Sequence, residues 1–268
     1  MRTLVHLSDL HFGRIDPALL EPLRRCIRKQ DPDLVVVSGD LTQRARRRQF
    51  EEARAYLDTL PRPQLVVPGN HDVPLYDVIR RFASPLGRYR RIVNADLEPS
   101  YIDEELAVIG VNTARSLTFK GGRINEKQAE AVRGQVCNLG EQVVKIVVSH
   151  HPFDAPEGEG ENQIVGRARM ALETLAGCGV DVFLAGHLHT SHVSNTTARY
   201  DIAGVHALVI QAGTATSTRE RGEPNSFNVL RVTSRHIDVE RYAFDSGAFV
   251  RASAHGFDHV HGGWTPSA

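Results

Sequence analysis

Seven short apolar runs, each followed by polar turn residues, constrain this chain more than any other feature. They are Thr3–Leu7, Leu34–Val37, Leu65–Val67, Leu106–Val111, Ile146–Val148, Val182–Ala185 and Leu208–Ile210. Each is short, rich in Val, Ile and Leu, and bounded by breakers, which is the pattern of a strand buried on both faces. Helical stretches lie between several of them. Pro17 to Arg28 carries Leu19, Leu20, Leu23 and Ile27 along one stripe, and Gln49 to Leu60 predicts a second helix. Asn125 with Gln128 three residues on reads as a capping box opening a third helix through Val136, and Arg167 to Ala176 predicts a fourth. Strands alternating with helices predict an α/β sheet. The end of the chain differs: Ser226–Val232, His236–Tyr242 and Phe244–Arg251 predict an antiparallel meander. No linker stands out before about residue 250, so residues 1–251 read as a single domain. The Gly- and His-rich residues 252–268 read as a tail that frays, and the Gly- and Glu-rich stretch 154–166 as an exposed loop.

Composition narrows the function classes. Lys plus Arg number 32 and Asp plus Glu number 32 in 268 residues, a formal net charge of zero. A chain-wide basic footprint for nucleic acid or an anionic membrane is therefore absent, which leaves local basic patches to be judged one by one. Aromatics are 6% with one Trp, which argues against a stacking platform for single strands. Cys26, Cys137 and Cys178 are sparse, odd in number and lack a CxxC spacing, so reduced, buried thiols are expected. No apolar run reaches the length of a membrane helix, and the opening Met1–Leu7 stretch is too short for a signal-peptide core. A cytoplasmic location without a membrane span is the expectation.

The residues just after the runs carry the chemistry. The first run leads to Asp9-Leu10-His11, the second to Gly39-Asp40 and the third to Gly69-Asn70-His71-Asp72. Ile146–Val148 leads to His150-His151-Pro152, and Val182–Ala185 to Gly186-His187-Leu188-His189. Sites in α/β sheets form at the carboxyl ends of strands. Imidazole and carboxylate together suit Zn, Fe or Mn, and a Cys-free set disfavours a structural zinc site. Seven candidate ligands (Asp9, His11, Asp40, Asn70, His150, His187 and His189) exceed one tetrahedral ion and suit two, with a carboxylate shared between them. Asp40 is the natural bridge, since its two oxygens can serve both.

These motifs, D-x-H, G-D, G-N-H-D, H-H-P and G-H-x-H in this order, resemble the calcineurin-like metallophosphoesterase superfamily. The resemblance implies a four-layer α/β/β/α sandwich of mixed β-sheets. It implies that Asp9, His11 and His189 hold one divalent metal, that Asn70, His150 and His187 hold a second, and that Asp40 bridges them. It implies that His71 assists as the catalytic acid or phosphate stabiliser while hydroxide generated by the metals attacks phosphorus. The stretch Gly39-Asp40-Leu41-Thr42-Gln43-Arg44-Ala45 lacks the second Asp and final Gly of the phosphoprotein phosphatase branch. The pattern looks most like bacterial class III cyclic-nucleotide and glycerophosphodiester phosphodiesterases, which implies a small phosphodiester substrate. A homodimer is compatible with that resemblance.

The alternatives are a nuclease or phosphomonoesterase of the same superfamily, or a non-catalytic scaffold. Neutral charge weighs against nucleic acid, and the full set of ligand positions weighs against the scaffold. Arg115, Arg219 and Arg221, in loops after strands, are candidates for gripping phosphate. Arg44, Arg46, Arg47 and Arg48 read instead as a solvated helix start balanced by Glu51 and Glu52. His151 reads equally well as a neighbour of the ligands or as a structural residue, and His192, His255, His259 and His261 as ordinary surface or tail histidines.

Overall fold

The computed structural model describes residues 1–118, 121–156, 163–219 and 222–267. The first sheet starts from three parallel strands, β1 (Arg2–Leu7), β2 (Leu34–Val37) and β3 (Gln64–Val66). Helix α1 (Leu20–Lys29) connects the first two, and α2 (Arg47–Leu57) the second and third. Two short helices follow, α3 (Val78–Ala83) and α4 (Gly87–Ile92). The second sheet contains β4 (Ser100–Ile102), β5 (Leu106–Val111), β6 (Val144–Ser149), β7 (Val182–Ala185), β8 (His192–Asn195) and β9 (Leu208–Gln211). Its crossovers include α5 (Glu126–Val136) and α6 (Ala168–Leu175). The chain then returns to the first sheet through β10 (Ser226–Val232), β11 (His236–Asp245), β12 (Ala248–Val260) and β13 (Gly263–Pro266).

The seven-stranded sheet has the order β13-β12-β11-β10-β1-β2-β3, and the six-stranded sheet the order β4-β5-β6-β7-β9-β8. Leu4, Val36, Val67, Val108, Ile146 and Leu184 are packed between the sheets. The outer face of the first sheet buries Val5, Val35 and Val37 against Leu23 and Ile27 of α1 and Phe50 and Leu57 of α2. The outer face of the second buries Val147, Phe183 and Val209 against Val132 of α5 and Leu172 of α6. Alternate side chains of each buried strand thus fill different cores, which is why these runs are apolar throughout rather than alternating. The result is the four-layer α/β/β/α sandwich.

Local signals placed most elements. The Asn125 carboxamide accepts from the Gln128 amide at 3.0 Å, and the Gln128 carboxamide accepts from the Asn125 amide at 3.1 Å, so the capping box forms. Four expectations need correction. The boundary expected at residue 251 falls inside β12, and residues 252–260 and 263–266 form strands instead of a fraying tail. Trp264 on β13 is buried and donates to Asp181 at 3.1 Å, which ties the last strand to the second sheet. The meander turns at Ser246-Gly247, so Phe244 and Phe249 belong to different strands that pair with each other. Cys137 and Cys178, 41 residues apart in sequence, meet with Cα atoms 4.2 Å apart as a disulfide, whereas Cys26 is a buried thiol. Of the stretch expected as an exposed loop, Asp154 is buried and ion-paired with Arg199, and residues 157–162 lie outside the described residues.

One buried ring on β1 makes the fold sensitive to acid. His6 is inaccessible, with Nε2 2.9 Å from Ser38 Oγ and Nδ1 without a hydrogen-bond partner. Burial outweighs attraction to Asp9 and lowers its pKa to about 3 from 6.5. Between those values the unfolded chain binds a proton that the folded chain refuses, so stability falls as pH drops from 6.5 toward 3. The slope for one proton is about 1.4 kcal/mol per pH unit. In urea unfolding across that window, His6→Gln is expected to show a shallower pH slope than the parent by about this amount; equal slopes would assign the acid sensitivity elsewhere.

Candidate metal centre

The carboxyl ends of β1, β2, β3, β6 and β7 converge on one edge of the sandwich. Five of the predicted ligands sit there with left-handed backbone: Asp9 (φ 53°), His11 (φ 50°), Asp40 (φ 52°), His187 (φ 73°) and His189 (φ 62°). For residues with a Cβ this conformation costs about 1–3 kcal/mol each and persists only where neighbours enforce it. Backbone bonds between turns enforce it here: the Asp9 amide donates to Gly39 O at 3.1 Å and the His11 amide to Asp40 O at 2.9 Å. Gly39, at φ +96°, leaves no room for a side chain, since a Cβ would lie 2.7 Å from His150 Nδ1. At Gly69 a Cβ would lie 2.3 Å from the Asp40 amide nitrogen, so the second and third turns touch through their glycines.

Two donor sets flank Asp40. In one, Asp9 Oδ1 lies 3.3 Å from His11 Nε2 and 3.2 Å from His189 Nε2, and the two imidazole nitrogens are 3.3 Å apart. His189 Nδ1 is 3.2 Å from the Arg219 carbonyl, which fixes the proton on that nitrogen and leaves Nε2 as a lone pair facing inward. In the other, His150 Nε2 is 3.0 Å from Asn70 Oδ1, while His150 Nδ1 is held by the Ser38 carbonyl at 2.8 Å. The His187 ring lies 5.2 Å from that of His150. Asp40 spans the sets: Oδ2 is 3.7 Å from His11 Nε2 and Oδ1 is 3.4 Å from His150 Nε2. Asp9 Oδ1 and His11 Nδ1 are buried without a hydrogen-bond partner. Lone pairs aimed at one another with an orphaned carboxylate oxygen among them are what a divalent cation resolves, so the residues fit such ions. His151 joins the second set, its ligand atom clustering with those of His150 and His187, while its Nδ1 is 2.8 Å from Thr113 Oγ1.

Electrostatics follow from this packing. Burial opposes ionisation of Asp9 and Asp40, yet the neighbouring histidines, His189 for the first and His150 for the second, hold both carboxyls well below the usual range. Against its own burial, His150 is raised to about 9 by Asp40. Burial and the charge of His150 lower His187 to about 3. A cation binding here must displace protons from the histidines that lie against Asp40, so its affinity rises with pH.

Asp72 has a different part from the one its position beside His71 suggests. Its carboxylate does not face that ring. It accepts from the amides of Gly69 at 3.0 Å, Leu41 at 3.2 Å and Thr42 at 2.9 Å, and from Thr42 Oγ1 at 3.0 Å. It thereby clasps the turns that present Asp40 and Asn70. Burial and the Asp40 charge raise its pKa to about 7. Removing the clasp leaves three buried amides unpaired. Asp72→Ala is expected to lose about 2–4 kcal/mol in urea unfolding; a loss within experimental error would show that water replaces the carboxylate without consequence.

His71 lies on the open side of this centre, 4.0 Å from Asp40 Oδ2. Its Nδ1 is 3.0 Å from the Gln43 carbonyl, and its Nε2 accepts from the Arg219 guanidinium at 3.0 Å. Both face a cavity of about 210 Å³ that Asn70, Arg44 and Arg81 also line. Of the three arginines suggested by the sequence, Arg219 therefore reaches the site. Arg115 does not: it donates to the carbonyls of Asn112 and Ala114 and to Gln128, bracing the start of α5. Arg221 lies outside the described residues. Arg47 and Arg48 pair with Glu51 and Glu52 along α2 as the spacing predicts, but Arg44 turns into the cavity. His192 and His255 line a separate groove, and His259 packs on Trp264. Gln43 and Thr113 went unrecognised in the sequence, since one acts through a carbonyl and the other through a contact across the fold.

Comparisons with known proteins bear on family and fold. A family model described as Calcineurin-like phosphoesterase matches residues 2–191. A glycerophosphodiester phosphodiesterase, GpdQ of Enterobacter lignolyticus (strain SCF1), is 38% identical over 85 residues, covering 26% of this chain and 29% of that protein. Among solved structures, a purple acid phosphatase from yellow lupin (Lupinus luteus) superposes with a TM-score of 0.68 at 13% identity, over 95% of this chain and 53% of its own. A phosphopantetheinyl hydrolase from Mycobacterium tuberculosis gives 0.51 at 17% identity, over 79% of this chain and 89% of its own. The chain thus spans under a third of the curated relative and about half of the lupin enzyme.

Proposed function

We propose, from the premise that this chain belongs to the calcineurin-like phosphoesterase family, that it is a dinuclear metal-dependent hydrolase of small phosphodiesters. The observation that carries the reading is Asp40 standing between two donor sets, one oxygen 3.7 Å from His11 and the other 3.4 Å from His150. Asp9, His11 and His189 would hold one ion and Asn70, His150 and His187 the other, with Asp40 shared. Divalent ions of the Mn, Fe or Zn type supply Lewis-acid charge for the phosphoryl oxygens and activate water near neutral pH.

The protein's own groups do the rest. Ser38 and Arg219 carbonyls orient His150 and His189 so that Nε2 points inward. The Gln43 carbonyl holds the His71 Nδ1 proton, which leaves Nε2 directed into the cavity. With Arg219 drawn off to the phosphate and a proton taken up at Nε2, the His71 imidazolium hands that proton to the departing alkoxide or donates it in a hydrogen bond to a phosphoryl oxygen. Arg219, now on His71, is within reach to pair with a phosphate oxygen as the diester enters. The name of the Enterobacter relative supports a diester over a monoester.

The test is elemental analysis of the purified chain together with hydrolysis of bis-p-nitrophenyl phosphate and p-nitrophenyl phosphate after Mn loading. About two ions per chain and faster diester turnover are expected. Faster monoester turnover would replace the reading with a phosphatase. Absence of both metal and turnover would replace it with a scaffold.

A further inference from the structure

The short helix α3 is patterned inside out. A surface helix ordinarily hides its apolar stripe and shows its charges. Here Arg81 is buried, donating to the carbonyls of Pro74 at 2.9 Å and Thr118 at 2.6 Å, while Val78, Ile79 and Phe82 face solvent. Ile79 is 82% exposed and Phe82 59%. Tyr76 just before the helix is 76% exposed, and Leu117, in the loop that Arg81 ties to α3, is 84% exposed. Five of the nine large apolar side chains exposed among the described residues thus gather at one corner. Isolated exposed leucines need no explanation, but a cluster with an inverted helix beneath it does.

Charge says what covers it. Residues 74–93 contain Arg80, Arg81, Arg88, Arg90 and Arg91 against the single acid Asp77, in a chain whose net charge is zero. Arg80, Arg90 and Arg91 are exposed, Arg80 with its Nε 2.9 Å from Asp77 Oδ2, which leaves Arg90 and Arg91 as the exposed arginines of this stretch not set against Asp77. Apolar side chains interleaved with arginines suit the boundary between headgroups and acyl chains of an anionic bilayer. A second copy of the chain suits it poorly, because a two-fold contact would bring these arginines against themselves. No helix among the described residues is long and apolar enough to cross a membrane, so the contact is peripheral. The corner also adjoins the cavity, which Leu75 and Arg81 line together with His71 and Arg219.

We infer that the corner built by Tyr76, Val78, Ile79, Phe82 and Leu117, with Arg80 and Arg90, is a docking surface for an anionic phospholipid bilayer. The test is sedimentation of the full chain with vesicles of phosphatidylcholine alone, or with one third replaced by phosphatidylglycerol. The ratio of bound to free protein is expected to be about tenfold higher on the anionic vesicles and to drop in high salt. Ile79→Asp with Phe82→Asp should cut it about tenfold or more, and Arg80→Glu with Arg90→Glu should cut it on anionic vesicles only. All four positions are exposed, so unchanged circular dichroism and thermal midpoint confirm that the variants fold. No binding to the anionic vesicles, or binding indifferent to both pairs of substitutions, overturns the inference. So does self-association in sedimentation equilibrium that Ile79→Asp with Phe82→Asp abolishes while the parent ignores vesicles, which assigns the corner to a second copy. Turnover is not measured, so either result leaves the catalytic reading where it stands.

Discussion

An Asp40→Asn variant is expected to purify with almost no bound metal and to lose at least about a thousandfold in kcat/KM, about 4 kcal/mol of transition-state stabilisation. The size follows from position. Asp40 is the residue whose two oxygens face both donor sets, so its neutralisation weakens two sites at once. Asparagine keeps the shape and retains an oxygen to accept the His71 amide, a bond of 2.8 Å in this structure. The fold should therefore survive. Asp40 also crowds Asp9 and Asp72, whose ionisation it opposes. Its removal should leave the metal-free thermal midpoint nearly unchanged while abolishing the rise that Mn produces in the parent. A variant that still binds two ions, or that gains stability with Mn as the parent does, would remove Asp40 from the bridging position.

His71→Ala is expected to do the reverse, keeping the metal and losing turnover. General acid help is worth about 10²–10⁴-fold, and the loss should appear in kcat for a diester with a poor alkoxide leaving group. On bis-p-nitrophenyl phosphate the loss should be much smaller, because nitrophenolate departs without a proton. Elemental analysis of the same preparation separates this from a collapsed centre. Undiminished kcat on the alkyl diester would reduce His71 to a neighbour of the metals. The ring is held from both sides, by the Gln43 carbonyl at Nδ1 and Arg219 at Nε2, so its orientation precedes substrate.

Much of this candidate centre is legible in the sequence. Asp9, His11, Asp40, Asn70, His150, His187 and His189 could be picked out because each follows a strand whose apolar run is itself conspicuous. A strand end is a local property, and a parallel sheet carries its strand ends to one edge. The four layers were legible for a related reason, since doubly buried strands must have something on both faces. Arg115 and Arg219 looked alike on these grounds. Nothing local separates an arginine that braces Gln128 from one that meets His71 across 148 residues. Cys137 and Cys178 posed the same problem, and so did residues 252–268, where Gly and His suggested disorder but pairing with β11 and the burial of Trp264 prevail.

The sequence by itself determined the strand-and-turn framework, the apolar layers and which residues are candidate donors, because these depend on periodicity and on residue chemistry within a few positions. Only the tertiary structure decided which nitrogen of His150 and of His189 faces inward, that Asp72 clasps two turns instead of steering its neighbour, and that Arg219 but not Arg115 reaches the cavity. Those outcomes rest on hydrogen bonds between residues about 30 to 180 positions apart. Such bonds have no periodicity to read, and they exist only once distant strand ends have met, within the first sheet for Asp72 and between the two sheets for His150.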